Sequence, residues 1–123
     1  MPALDRLRAM RVVADPLALD AARWAGDAVT VLRTAPDEAI GIGAIGVEVD
    51  DQHAIVVDEP GLVGGSIDLD VAQRHIEWPL PSERPALAQG SIAGIPAKLW
   101  LTGERAMLVT HAAYAADLEA RLR

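Results

Sequence analysis

Cysteine, phenylalanine and asparagine are all missing from this chain of 123 residues, which also has only one tyrosine and one lysine. Each absence removes a class of chemistry. Without cysteine there is no disulfide framework, thiolate nucleophile, cysteine-ligated zinc or iron–sulfur cluster. Without asparagine there is no N-glycosylation site. Aromatic residues make up 3% of the chain, Trp24, Trp78, Trp100 and Tyr114, too few to build a platform for stacking bases. Positive charge is also scarce. Eleven basic residues face eighteen acidic ones, a formal net charge of −7. Nucleic-acid binding needs a basic footprint, and anionic membrane surfaces repel such a chain. Uncharged runs such as residues 40–47 fall far short of the roughly 20 apolar residues of a membrane span. The first ten residues carry Asp5, Arg6 and Arg8 with no apolar run, so no signal peptide is expected. These features predict a soluble, cytoplasmic protein that binds neither nucleic acid nor membrane.

What is present is ordinary for a globular domain: 51% apolar and 24% charged residues, in a length that suits one domain spanning 1–123. Residues 1–10 read as a short helix or a loose arm. Residues 11–14 form a short strand. Asp15 then caps a helix that opens on Pro16 and closes before Gly26, with Leu17, Ala21 and Trp24 on one face. The centre is rich in strands, at 28–33, 39–42, 45–49, 54–57 and 62–69. They are separated by turns at Pro36-Asp37, Asp50-Asp51-Gln52-His53 and Pro60-Gly61, and the last is interrupted at Gly64-Gly65. Short connections favour antiparallel pairing. A second helix covers 70–77, capped by Asp68 or Asp70, with Leu69, Ala72 and Ile76 inward. Residues 79–85 hold three prolines and read as extended surface chain. Residues 95–101 and 106–110 form a hairpin around Gly103-Glu104. Thr110 caps a closing helix lined by Tyr114, Leu118 and Leu122. The expected fold is α+β, a mostly antiparallel sheet with two or three helices packed on one face.

Candidate chemistry is thin. Gly41-Ile-Gly43-Ala-Ile-Gly46 matches a dinucleotide fingerprint, which requires a helix to follow the glycines. Val47-Glu48-Val49 reads as a strand instead, so the glycines serve a bulge or tight turn and no cofactor is assigned. His53, His75 and His111 lie far apart, without metal-ligand spacing. His53 with Asp58, or His75 with Glu77, could meet locally. Ser66 follows two glycines and is the one serine in a setting that resembles a strained nucleophile loop, but no nucleophile-elbow motif surrounds it. The acid pairs Asp37-Glu38, Asp50-Asp51 and Asp58-Glu59 fall in turns, where solvated carboxylates are the rule. Lys98 sits in an apolar strand and snorkels from a sheet face. Residues 80–85 suit a linker better than a polyproline ligand. No catalytic, cofactor or metal residue is assigned. Trp24, Trp78 and Trp100 are the candidate interface anchors.

Four segments in order resemble one family. Thr30-Val-Leu-Arg-Thr-Ala-Pro36-Asp37-Glu38-Ala-Ile-Gly-Ile-Gly43 looks like the strand–turn–strand of the sarcosine oxidase gamma subunit. His53-Ala-Ile-Val-Val-Asp58 resembles its next strand. Ala88-Gln-Gly-Ser-Ile-Ala-Gly94-Ile-Pro96-Ala-Lys-Leu-Trp-Leu101 resembles the strand entering its final hairpin. Ala106-Met-Leu-Val-Thr-His-Ala-Ala-Tyr114-Ala-Ala-Asp-Leu118 is similar to its closing strand and helix. The resemblance implies a domain related to the folate-binding aminomethyltransferase (glycine-cleavage T-protein) fold. It also implies a small accessory subunit of a flavin- and folate-dependent amine oxidase, in which the gamma chain holds neither cofactor. Three functions are therefore expected in descending order. The first is a non-catalytic interaction subunit whose partners are larger flavoprotein oxidase subunits. The second is a stand-alone homodimer binding a small molecule in a sheet–helix cleft. The third is a small hydrolase using Ser66 or a histidine.

Overall fold

A computed structural model describes residues 3–123. In chain order the strands begin with β1 (Asp5–Arg6) and β2 (Ala9–Val13). Helix α1 (Pro16–Asp20) follows, then β3 (Arg23–Ala25), β4 (Thr30–Ala35), β5 (Glu38–Ile42), β6 (Gly46–Glu48), β7 (Ile55–Asp58) and β8 (Leu62–Asp68). Helix α2 (Leu69–Gln73) precedes β9 (Ala86–Ile92), β10 (Ile95–Leu101) and β11 (Arg105–His111). A 3-10 turn (Ala112–Tyr114) leads into α3 (Ala115–Arg121). Strand is 46% and helix 17% of the chain, and every strand pairing among the described residues is antiparallel, so the fold is α+β. The strands divide among three sheets.

The backbone gathers into two compact units. The first comprises residues 3–6 and Gly61–Arg123. Its five strands run β1-β8-β11-β10-β9. Alternation along β10 and β11 turns Ile95, Ala97, Leu99 and Leu101, with Ala106 and Leu108, into the core, where Leu118 and Leu122 of the closing helix meet them. The two leucines are four residues apart and share one helix face. Ala72 of α2 is fully buried in the same cluster, with Leu69 and Ile76 packed at its margin.

The second unit is Leu7–Pro60. It holds the sheet β4-β5-β2-β7 and the two-stranded ribbon β3-β6. Val12, Ala14, Leu19 and Ala39 form one core cluster, flanked by Trp24, Val31, Val47, Val49 and Ala54, and Leu32, Ile40, Ile42 and Ala44 are buried as well. The charge is unevenly shared. The second unit carries ten acidic and four basic residues, the first eight and seven. The units therefore hold −6 and −1 of the net −7.

Several sequence expectations need correction. The arm expected over 1–10 contains β1 and the start of β2; residues 1–2 lie outside the described residues. Helix α1 does begin at Pro16 with Asp15 as cap, its carboxylate accepting from the N–H groups of Leu17 (3.1 Å) and Ala18 (3.4 Å). It stops at Asp20, however, because residues 23–25 pair with β6. Leu19 is the buried residue, while Leu17 is 77% exposed. Helix α2 ends at Gln73, short of residue 77. Gly64-Gly65 does not interrupt β8, which pairs continuously with β11. Thr110 is no cap. It continues β11 opposite Val63, is buried, and donates its hydroxyl to the Pro96 carbonyl at 2.9 Å. Tyr114 is 39% exposed and meets His111 edge-on rather than facing the core.

Candidate functional site

An edge strand leaves one rank of backbone N–H and C=O groups without a partner, and folded proteins usually blunt such edges. Here most edges are blunted. Strand β4 is largely half-buried and carries a bulge between Arg33 and Ala35. Arg33 is drawn back onto Asp20 (2.6 Å) and the Pro16 carbonyl (2.9 Å). At β9 the Trp78 indole N–H takes the Ser91 carbonyl at 2.9 Å. Strand β1 is only two residues long.

Strand β7 is different. It pairs on one side with β2, in the register Met10–Asp58, Arg11–Val57, Val12–Val56 and Val13–Ile55. Its other side is the end of the sheet. All four residues are exposed, Ile55 by 56%, Val56 by 40% and Val57 by 38%. Ile-Val-Val is β-branched throughout and contains no proline, lysine or bulge. Alternation places Ile55 and Val57 on one face and Val56 on the other.

On the Val56 side lies a groove of about 610 Å³, lined by Val47, Val49, Ala54 and Val56 with Arg23, Glu48, Asp50 and Asp51. Three valines and an alanine line part of the groove, but its surface is mostly polar, with three acids to one base. Arg23 is taken by Glu48 at 2.6 Å across the β3–β6 ribbon, and that bond holds its guanidinium even more firmly protonated than usual. Asp51 is fixed in place. Its carboxylate accepts from the backbone N–H of Asp15 and of His53, both at 2.9 Å. These bonds, the one from Asp15 foremost, hold its pKa below the usual aspartate range. Asp51 thus favours its charged form on the groove's rim.

On the opposite face of β2, beside Val57, Arg11 stands between two glutamates. Nη1 bonds Glu38 Oε1 at 3.0 Å. Nε is 3.1 Å from Glu59 Oε2, close enough for ion pairing but out of line for a hydrogen bond. The Glu38 bond is the main cause that raises the Arg11 pKa further. Arg11 is therefore occupied, and the apolar side chains of β7 are what this surface offers.

The residues singled out in the sequence are scattered. Trp24 is half-buried against the second unit's core, Trp78 against the first unit's core, and Trp100 is half-buried on β10 between Leu87 and Met107. Trp24 and Trp78 are thus packed on cores, whereas Trp100 alternates with the inward Leu99 and Leu101 and lies on the other face of β10. His53 approaches Gln52, not Asp58. His75 and Glu77 line a separate hollow of about 340 Å³ with Trp78 and Ser91. No group of three or more His, Asp or Glu that could hold a metal ion occurs among the described residues. Ser66 Oγ accepts from Arg105 Nε at 2.8 Å. Lys98 is half-buried on β10, opposite Val109 and Gln89. No helix follows Gly41, Gly43 and Gly46. Gly41 accommodates the Trp24 ring, which a Cβ would meet at 2.4 Å, and Gly43 turns at φ +88°. Nothing in the sequence marked β7 as exposed, because an apolar β-branched triplet reads as a buried strand until its place in the sheet is known. No helix among the described residues is long and apolar enough to cross a membrane. No protein-family model and no curated protein matches this chain.

Proposed function

We propose that this chain is a non-catalytic interaction subunit that accepts an extended segment of a partner protein as an added strand on β7. The observation that carries the reading is the unblunted edge Ile55–Asp58, exposed along its whole length. Strand addition gives affinity through main-chain hydrogen bonds and specificity through alternate side-chain pockets. Val56 and the groove beside it supply such a pocket. The rim of Glu48, Asp50 and Asp51, in a unit of charge −6, fits a segment with basic flanks. The resemblance of four segments to the sarcosine oxidase gamma subunit supports a larger flavoprotein oxidase subunit as the source of that segment.

The test uses a fluorescent peptide of alternating valine and threonine flanked by arginines, together with the same peptide flanked by glutamates. The arginine-flanked peptide is expected to bind and to weaken as salt rises. Ile55→Lys/Val57→Lys is expected to abolish binding. Equal binding of both peptides, or undiminished binding by the double variant, overturns the reading. A peptide-independent dimer in sedimentation that this double variant dissolves would assign the edge to a second copy of the chain instead.

A further inference from the structure

A second cleft lies wholly within the first unit and is unrelated to β7. Its volume is about 470 Å³, and its lining includes Ser66 and Asp68 of β8, Val71 of α2, Arg74 just beyond it, Arg105 of β11, and Leu122 and Arg123 at the end of α3. Three of the eleven basic residues of an acidic chain therefore converge on one hollow, against a single side-chain carboxylate. A surplus of positive charge is uncommon on this surface. The second unit has four basic residues in all, and three of them, Arg11, Arg23 and Arg33, are paired with acids.

The arginines are available in different degrees. Arg105 is opposite Asp68 in the β8–β11 ladder and forms an ion pair with it through Nη1. Its Nε donates to Ser66 Oγ at 2.8 Å. Two of its five N–H donors are thereby used, and the guanidinium is anchored with three left over. Arg74 and Arg123 are exposed, and neither is in a salt bridge with a described residue. Val71 lies one helical turn before Arg74, and Leu122 is buried beside the cleft. The hollow thus has a cationic rim and an apolar wall. Its volume lies in the range of small-molecule sites, roughly 300–1,000 Å³.

We infer that this cleft binds a small organic dianion of the phosphomonoester type. The phosphoryl group would lie among the guanidiniums of Arg74, Arg105 and Arg123, and its carbon portion against Val71 and Leu122. The three guanidiniums outnumber the one side-chain carboxylate, Asp68, and offer more donors than a monocarboxylate can use. Planar guanidinium donors suit the phosphoryl oxygens.

Calorimetry at low ionic strength with phenyl phosphate and with benzoate, which share a ring and differ in charge, tests the inference. Phenyl phosphate is expected to bind the more tightly by about tenfold. Arg74→Gln/Arg123→Gln is expected to weaken it by at least about tenfold, with an unchanged melting temperature because both side chains are exposed. Asp68→Asn is expected to tighten binding severalfold, since it removes the competing carboxylate; Asp68 makes no side-chain capping bond to α2 that the change would break. Arg84→Gln, away from the cleft, is expected to leave binding unaltered. Absence of binding, equal affinity for the two ligands, an unaffected arginine double variant, or an Asp68→Asn chain that binds no more tightly overturns the inference.

Discussion

Trp78 rests against Gly90 so closely that a methyl group on that glycine would come within 2.7 Å of the indole Cε2. The same indole donates to the neighbouring Ser91 carbonyl at 2.9 Å. The bare backbone at Gly90 thus lets a large side chain lie over an edge strand and satisfy one of its carbonyls. Gly90→Ala is expected to push Trp78 off β9 at a cost of about 1–3 kcal/mol. Urea unfolding reads the loss, and a shift of tryptophan emission to longer wavelength reads the displacement.

Gly41 and Trp24 repeat the arrangement in the second unit, where a Cβ would meet the ring at 2.4 Å. This pair also shows where the sequence misleads. Leu17, Ala21 and Trp24 have helical spacing, yet Trp24 lies on a strand whose partner is Val47. The contact that decides its conformation is made to a glycine seventeen positions away, and periodicity does not register such a contact. By contrast, β10 and β11 were readable to the residue or nearly so. Burial alternates strictly along β10 and less regularly along β11, and Gly103-Glu104 separates them. Strand β9, Ala-Leu-Ala-Gln-Gly-Ser-Ile, has little intrinsic strand preference and becomes one through its seven-residue register with β10. The charged residues around the Arg105 cleft were invisible for the same reason, since they come from four separate elements. The order of elements and their alternation locate the core, whereas the β7 site depends on which strand ends a sheet and the Arg105 cleft on which elements meet in space.

Asp15 was legible, and its role is quantitative. Helix α1 has only five residues, too few to persist without its cap and the burial of Leu19. Asp15→Ala removes the acceptor for two N–H groups. It is expected to cost about 1 kcal/mol in chemical denaturation. Leu17→Ala, at a site 77% exposed, is expected to change stability by less than about 0.5 kcal/mol.

The β7 edge makes a separate prediction about self-association. Ile55 and Val57 are exposed on one face of a strand that ends its sheet. Light scattering at rising protein concentration is expected to show growth of large species at high salt, where the repulsion of the −7 charge is screened. Ile55→Lys/Val57→Lys places charge on the edge in the way natural edge strands are protected. It is expected to suppress that growth while leaving the urea midpoint within experimental error. A midpoint that falls sharply would mean that these side chains are covered in the folded chain.

Asp51 ties two turns together, and the sign of its pH dependence follows from its bonds. The carboxylate accepts from the N–H groups of Asp15 and His53, and both bonds favour the ionised form, so its pKa in the folded chain is lowered. A group with a depressed folded pKa contributes stability that is complete above its unfolded pKa and lost as pH falls through the folded one. Asp51→Asn removes the negative charge and one acceptor oxygen at every pH. The wild-type chain is therefore expected to exceed the variant in stability by a constant margin above about pH 5, and the margin should shrink as the solution is taken below the usual aspartate pKa of about 3.9. Thermal unfolding of both chains between pH 2.5 and 7, on the order of one measurement per half unit, checks this. A margin that widens on acidification would mean that Asp51 is held protonated in the folded chain, contrary to the two N–H donors that face it.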